Sequence, residues 1–219
     1  MNRGLRSRSV TLLTIAAVAA ASVAAEEIGE VSALAESLAI IREGELFPGA
    51  VEGGTAVEEE DLLLTGGASA EVVLNGLGRL RLWPETVVHL RGAAGGPEIE
   101  LLAGTITFLR LGGSEPVPLL SGSIQLLIRS GEVTVGAYAG DRRMVVSERG
   151  RQMVRSEAGE RRFAEPNLPV GYDGRLRNIE GSPLLWRSRE VQRFTALGPG
   201  AMAQRFQEYL DLRARFDEA

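Results

Sequence analysis

Residues 70–90 read AEVVLNGLGRLRLWPETVVHL, and the alternation in this stretch decides the fold class. In GRLRLW, Arg79 and Arg81 point to one side of an extended chain, Leu80 and Leu82 to the other. Asn75-Gly76 supplies residues that tolerate positive φ, as a tight hairpin requires. Pro84 has no N–H to give to a ladder and ends that strand. In the next run Val88 and Leu90 share one face, while Val87 shares the other with His89, the single histidine of the chain.

Runs of the same kind extend in both directions. They include EDLLLTG, IELLAGTITFLRL, GSIQLLIRSGEVTVGAYA and RRMVVSERGRQMVRS. Runs of roughly 4 to 8 residues that recur about every 8 to 12 predict an all-β sandwich, roll or solenoid-like sheet. No long helical period interrupts them, which argues against parallel βαβ folds.

The pattern changes only at the two ends. Arg3, Arg6 and Arg8 precede an apolar or small-residue run over 10–25, with Val23 and Ala25 placed for cleavage before Glu26. This reads as a signal peptide cut between Ala25 and Glu26; the alternative is a retained anchor. The run is about 16 residues, short of the roughly 20 that a span needs. There is no cysteine, hence no disulfide, thiolate metal site or lipidated cysteine. The mature chain is therefore expected to be periplasmic or secreted, without a transmembrane span. Near the other end, Ser182 and Pro183 suit a helix start, and GPG at 198–200 breaks that helix. A second helix follows, with Met202, Phe206, Tyr209, Leu210 and Phe216 on one side. That stripe packs on the sheet or docks on a partner. The expected organisation is a signal peptide over 1–25, a β domain over 26–180 and a helical appendage over 181–219.

All 24 basic residues are Arg, which reflects base composition as much as selection. Beyond residue 25, 21 Arg face 29 acids, a formal charge of −8. An acidic exported chain is a poor candidate for nucleic-acid binding. The charge is uneven: residues 26–141 carry −12 and residues 142–219 carry +4. Either two faces attract each other within the monomer, or the basic end meets an anionic partner. Arg142, Arg143, Arg149, Arg151 and Arg155 alternate with apolar residues such as Val145 and Met153. Strand alternation is expected to gather several of them on one solvent face, with Arg149, Arg151 and Arg155 as the candidate partner surface. Arg161, Arg162, Arg175 and Arg177 would extend it. Guanidinium forks suit carboxylate or phosphate partners, so the expected partner is another envelope protein or an anionic envelope polymer.

The text EEDLLLTGGASAEVVLNGLGRLRLWPETVVHL, followed by IELLAGTITFL, resembles the FecR family of extracytoplasmic domains. That family carries a GD-x-L-x-T-G phrase, a strand ending in L-x-D-G-S, an L-x-P-x-T/S strand and a later L-x-x-G-x-V turn. Asp61, Thr65, Gly66, Gly76, Pro84, Thr86 and Gly104 fall at the corresponding places. The usual GD is Glu60-Asp61 here, and the usual DGS is NGLG. Only about nine residues precede the apolar run. The resemblance thus implies a stand-alone, secreted FecR-like domain without the cytoplasmic segment that meets a sigma factor.

No catalytic or cofactor-binding constellation stands out. A single imidazole excludes a multi-histidine metal site, and no G-x-S-x-G elbow is present. The acidic run 58–61 lacks EF-hand ligand spacing and reads as a surface turn. Three functions are weighed: a non-catalytic binding or regulatory module of the envelope, a structural or assembly protein that contacts peptidoglycan or self-associates, and a hydrolase using His89.

Overall fold

The computed structural model describes residues 26–32, 38–47, 51–92, 96–138 and 141–179. The expected signal segment and the C-terminal helical segment lie outside these residues. Within them the chain is all-β, with seventeen strands and no helix. The strands are β1 (Glu27–Val31), β2 (Leu38–Arg42), β3 (Glu45–Leu46), β4 (Ala56–Glu58), β5 (Leu62–Thr65) and β6 (Ala70–Leu74). Next come β7 (Gly78–Leu82), β8 (Val87–Arg91), β9 (Glu98–Arg110), β10 (Val117–Ser121), β11 (Ile124–Ile128) and β12 (Gly131–Tyr138). The last are β13 (Arg142–Arg149), β14 (Gln152–Ser156), β15 (Arg161–Ala164), β16 (Val170–Tyr172) and β17 (Leu176–Asn178).

The strands form two layers. One runs β4-β1-β6-β7-β9-β12-β13-β16-β17. The other runs β3-β2-β5-β8-β9-β10-β11-β14-β15. Beyond their first pairs, β4-β1 and β3-β2, both orders progress with the chain, so the molecule is a two-layer roll. Strand β9 belongs to both layers: its first half pairs with β8 and β10, its second with β7 and β12. Apart from the β9–β10 pair, the ladders are antiparallel.

The opening stretch folds as its alternation predicts. Leu80 and Leu82 are fully buried in β7, and Arg79 and Arg81 are exposed. Strands β6 and β7 are joined through residues 75–77, where Gly76 takes φ +66°. Strand β8 crosses to the other layer, with Val88 and Leu90 in the core. A single core lies between the layers. Leu80, Ile106 and Phe108 come from one side, Leu90, Ile99, Leu101 and Leu119 from the other. Each such burial contributes about 1.5–3 kcal/mol.

Candidate functional site

Two buried polar knots account for most of the FecR-like positions. At the first, Asp61 is fully buried. Arg42 on β2 grips it with both fork nitrogens, Nε to Oδ1 at 2.9 Å and Nη2 to Oδ2 at 2.8 Å. The backbone N–H of Glu58 donates to Oδ2 at 2.8 Å, and Arg42 Nη1 reaches Glu58 Oε1 at 2.5 Å. The adjacent carboxylates hold the Arg42 pKa above its ordinary value, the hydrogen bond to Asp61 acting most. Both oxygens of Asp61 are thereby committed, so the acidic run 58–61 folds as a clamped turn. Arg42 was not singled out from sequence. Its signal was its isolation, as the only Arg between residues 9 and 78.

The second knot sits where β9 passes between layers. Thr65 Oγ1 donates to the carbonyl of Trp83 at 2.6 Å and accepts the N–H of Thr86 at 3.0 Å. Thr86 Oγ1 donates to the Thr105 carbonyl at 2.9 Å and accepts the Thr105 N–H at 3.0 Å. The carbonyl of Gly66 accepts the N–H of Glu85 at 2.9 Å, in the turn that contains Pro84. Gly104 adopts φ +84°, and a Cβ there would stand 2.5 Å from both Glu85 O and Thr86 Oγ1. Only glycine fits this crossing.

His89 lies on the outer face of β8, mostly buried, between two carboxylates. Its Nδ1 is 3.5 Å from Glu100 Oε2. Its Nε2 is 3.1 Å from Glu60 Oε2, without hydrogen-bond alignment. Hydrogen bonding with His89, then the charge of Arg91, holds the Glu100 carboxyl below its ordinary pKa against an opposing push from burial. The imidazole thus sits in a polar cluster with Glu60 and Glu100 on the outer face of the sheet.

The three arginines Arg149, Arg151 and Arg155 do not share one face. The run that contains them turns a corner at Gly150, φ +86°, so Arg149 ends β13 in one layer and Arg155 lies on β14 in the other. Arg149 approaches Glu132 at 3.7 Å. Arg151 pairs with Glu165 at 2.9 Å and lies 3.6 Å over the Phe163 ring. Arg155 has Gln125 on one side and Arg161 directly opposite on the other. Neither Arg155 nor Arg161 has an acidic partner among the described residues. Beside them, Met153 stands opposite Phe163, and both Phe163 and Leu127 are over a third exposed. The outcome is a basic and apolar surface on β11, β14 and β15. Arg142, Arg143 and Arg177 instead gather around a separate cleft of about 330 Å³. There Arg143 pairs with Asp141 at 3.0 Å and Arg177 with Asp173.

Glu26 precedes β1, and its carbonyl accepts the N–H of Glu59 at 3.0 Å. Ala25, Phe206, Tyr209 and Leu210 lie outside the described residues.

No family model matches the chain. No curated protein matches it either. The fold is similar to a crystal structure from Parabacteroides distasonis described as a "putative anti-sigma factor", with 16% identity and a TM-score of 0.48 over 55% of this chain and 60% of that one. A second crystal structure with the same description and organism aligns at 16% identity and a TM-score of 0.47, over 54% and 58%. The chain therefore spans less than two thirds of either neighbour.

Proposed function

We propose that this chain is a non-catalytic binding module of the bacterial envelope, exported to the periplasm or beyond, with its contact surface on β11, β14 and β15. One observation carries the reading: Arg155 and Arg161 stand directly opposite each other on an exposed face. Like charges in that register repel, and an anionic partner relieves the repulsion through charge-assisted hydrogen bonds. Leu127 and Phe163 beside them favour an acidic protein segment with apolar residues over a bare anionic polymer. The FecR-like phrase, which implies an extracytoplasmic domain, supports the same reading. On this reading His89, held between Glu60 and Glu100, is a structural residue of the sheet.

The test is photo-cross-linking in cells from position 163, with and without Arg155→Glu/Arg161→Glu. A protein adduct that disappears in the double variant and weakens at high salt is expected, since screening acts over about 8 Å at physiological ionic strength. An adduct indifferent to both changes would reject this surface. An adduct between two copies would favour the structural, self-associating reading, and capture of glycan alone the polymer.

A further inference from the structure

The outer face that carries Arg155 and Arg161 continues across the layer as far as β8. Leu119, Leu126, Val154 and Ala164 point into the core, so alternation turns Leu120, Gln125, Arg155 and Arg161 outward. Register lines these up in one row over five strands. Glu100 on β9 stands beside Leu120 on β10, and Leu120 is opposite Gln125 on β11. Gln125 is opposite Arg155 on β14, and Arg155 opposite Arg161 on β15. On its far side Glu100 faces His89 on β8.

The two ends of the row differ in sign. At the β8 and β9 end, Glu60 and Glu100 flank His89, with Glu98 on the same face. Their guanidinium partner is Arg91, 3.6 Å from Glu98 and 3.9 Å from Glu100, so carboxylates are in excess. At the β14 and β15 end, Arg155 and Arg161 have no acidic partner among the described residues. Between the ends the face is apolar. Pro118 stands opposite Leu127 and Met153 opposite Phe163, with Leu127 38% and Phe163 40% exposed. The solvent face of an antiparallel layer ordinarily carries polar side chains, and apolar ones clustered there mark a contact surface.

We propose that this whole row docks one amphipathic protein segment laid across the strands. Its acidic end sits on Arg155 and Arg161, its apolar middle on Leu120, Leu127 and Phe163, and its basic end on Glu98 and Glu100. The inference rests on the proposed function and adds the length, the second charge and the direction of the segment. From β9 to β15 there are four strand spacings of about 4.8 Å, roughly 19 Å in all. A helix of about 13 residues has that length. A reversed segment brings like charges together at both ends, which fixes the direction. A second copy turned by a two-fold axis also matches the charges, but the face is small for it. Strands β10, β11 and β14 have five residues each, about 17 Å at about 3.4 Å per residue. Each copy then offers roughly 320 Å², against about 800 Å² per partner in a stable pair.

The experiment places a photo-cross-linker at position 163 or at position 120 of the full chain in cells and sequences the captured peptides. Both probes are expected to capture one segment of one partner, position 163 next to Asp or Glu and position 120 next to Lys or Arg. Glu98→Gln/Glu100→Gln is expected to lower capture at least about twofold, as loss of exposed ion pairs does, with the β circular-dichroism signal retained. Capture at 163 that needs Arg155 and Arg161, with none at 120, would overturn the row and leave the basic surface standing. So would capture at 120 of a different protein, of another copy or of this chain's own residues, or capture there that ignores the two glutamines. Loss of charge-dependent capture at 163 as well rejects the proposed function itself.

Discussion

The layer crossing at Thr86 gives the sharpest quantitative prediction. Replacing Thr86 with Val keeps shape and branching and removes one oxygen. That oxygen makes two short hydrogen bonds, to the carbonyl and from the N–H of Thr105, at a fully buried position. The Thr105 carbonyl keeps the N–H of Trp83 at 3.0 Å, but the Thr105 N–H loses its partner at the crossing. A net hydrogen bond is worth about 1 kcal/mol and an orphaned buried donor costs about 1–3 kcal/mol, so Thr86→Val is expected to cost about 2–3 kcal/mol. At roughly 2–4 °C per kcal/mol for a chain of this size, Tm falls by roughly 4–12 °C. Urea unfolding measures the free energy directly. Thr65→Val removes the neighbouring hydroxyl, which accepts from the Thr86 N–H. The two changes share one backbone segment and are expected to couple by about 0.5–1 kcal/mol in a double-mutant cycle. A Thr86→Val protein within about 0.5 kcal/mol of the parent, the scatter of an ordinary surface change, would mean that the hydroxyl does not hold the crossing.

Arg42→Gln leaves the Asp61 carboxylate buried without its cation. It is expected to cost about 3–5 kcal/mol, more than Asp61→Asn, because a stranded charge is worse than a lost pair; the order of the two Tm values checks this. Glu100 titrates below its ordinary pKa because of His89 and Arg91. A carboxyl with a depressed folded pKa contributes stability that is complete above its unfolded pKa and is lost as pH falls through the folded value. The Tm advantage of the parent over Glu100→Gln is thus expected to hold at about pH 6 and shrink below about pH 4.3. An advantage that persists unchanged to pH 3 would sink that account.

The strands were legible because alternation is local, and the corners were not, because a corner depends on what lies across it. GSIQLLIRSGEVTVGAYA reads as one run, yet β11 and β12 lie in different layers, separated by Gly131 at φ +87°. A Cβ on Gly131 would stand 2.0 Å from the carbonyl of Arg149, a contact with a residue eighteen positions on. Gly150 divides RRMVVSERGRQMVRS in the same way, which is why counting alternate arginines along that run put Arg149 and Arg155 on one face. Inside β9 the opposite happens: Gly104 takes positive φ without ending the strand, and β9 changes neighbours there. Arg42 escaped notice because its partners are brought to it by the β4–β5 turn, 16 and 19 residues away.

The placement of the motif residues separates what the family phrase encodes from what the protein does. Asp61, Thr65, Thr86 and Gly104 are spent on the two knots, with their polar atoms turned to backbone or to Arg42. A substitution at any of them acts on folding first, so loss of function there would say little about recognition. Arg155, Arg161 and Phe163 have the reverse character. They lie on β15 or directly against it, on an outer face at the edge of a layer. Their replacement is expected to leave the two knots intact and change the melting temperature little. A surface that can vary without disturbing the fold is where different partners can be recognised on one scaffold. Arg155→Glu/Arg161→Glu should therefore match the parent in Tm while losing its cross-linked partner, whereas Thr86→Val should lose stability first. If the arginine pair proved as destabilising as the threonine, the basic face would be part of the scaffold, and partner recognition would have to be sought elsewhere on the roll.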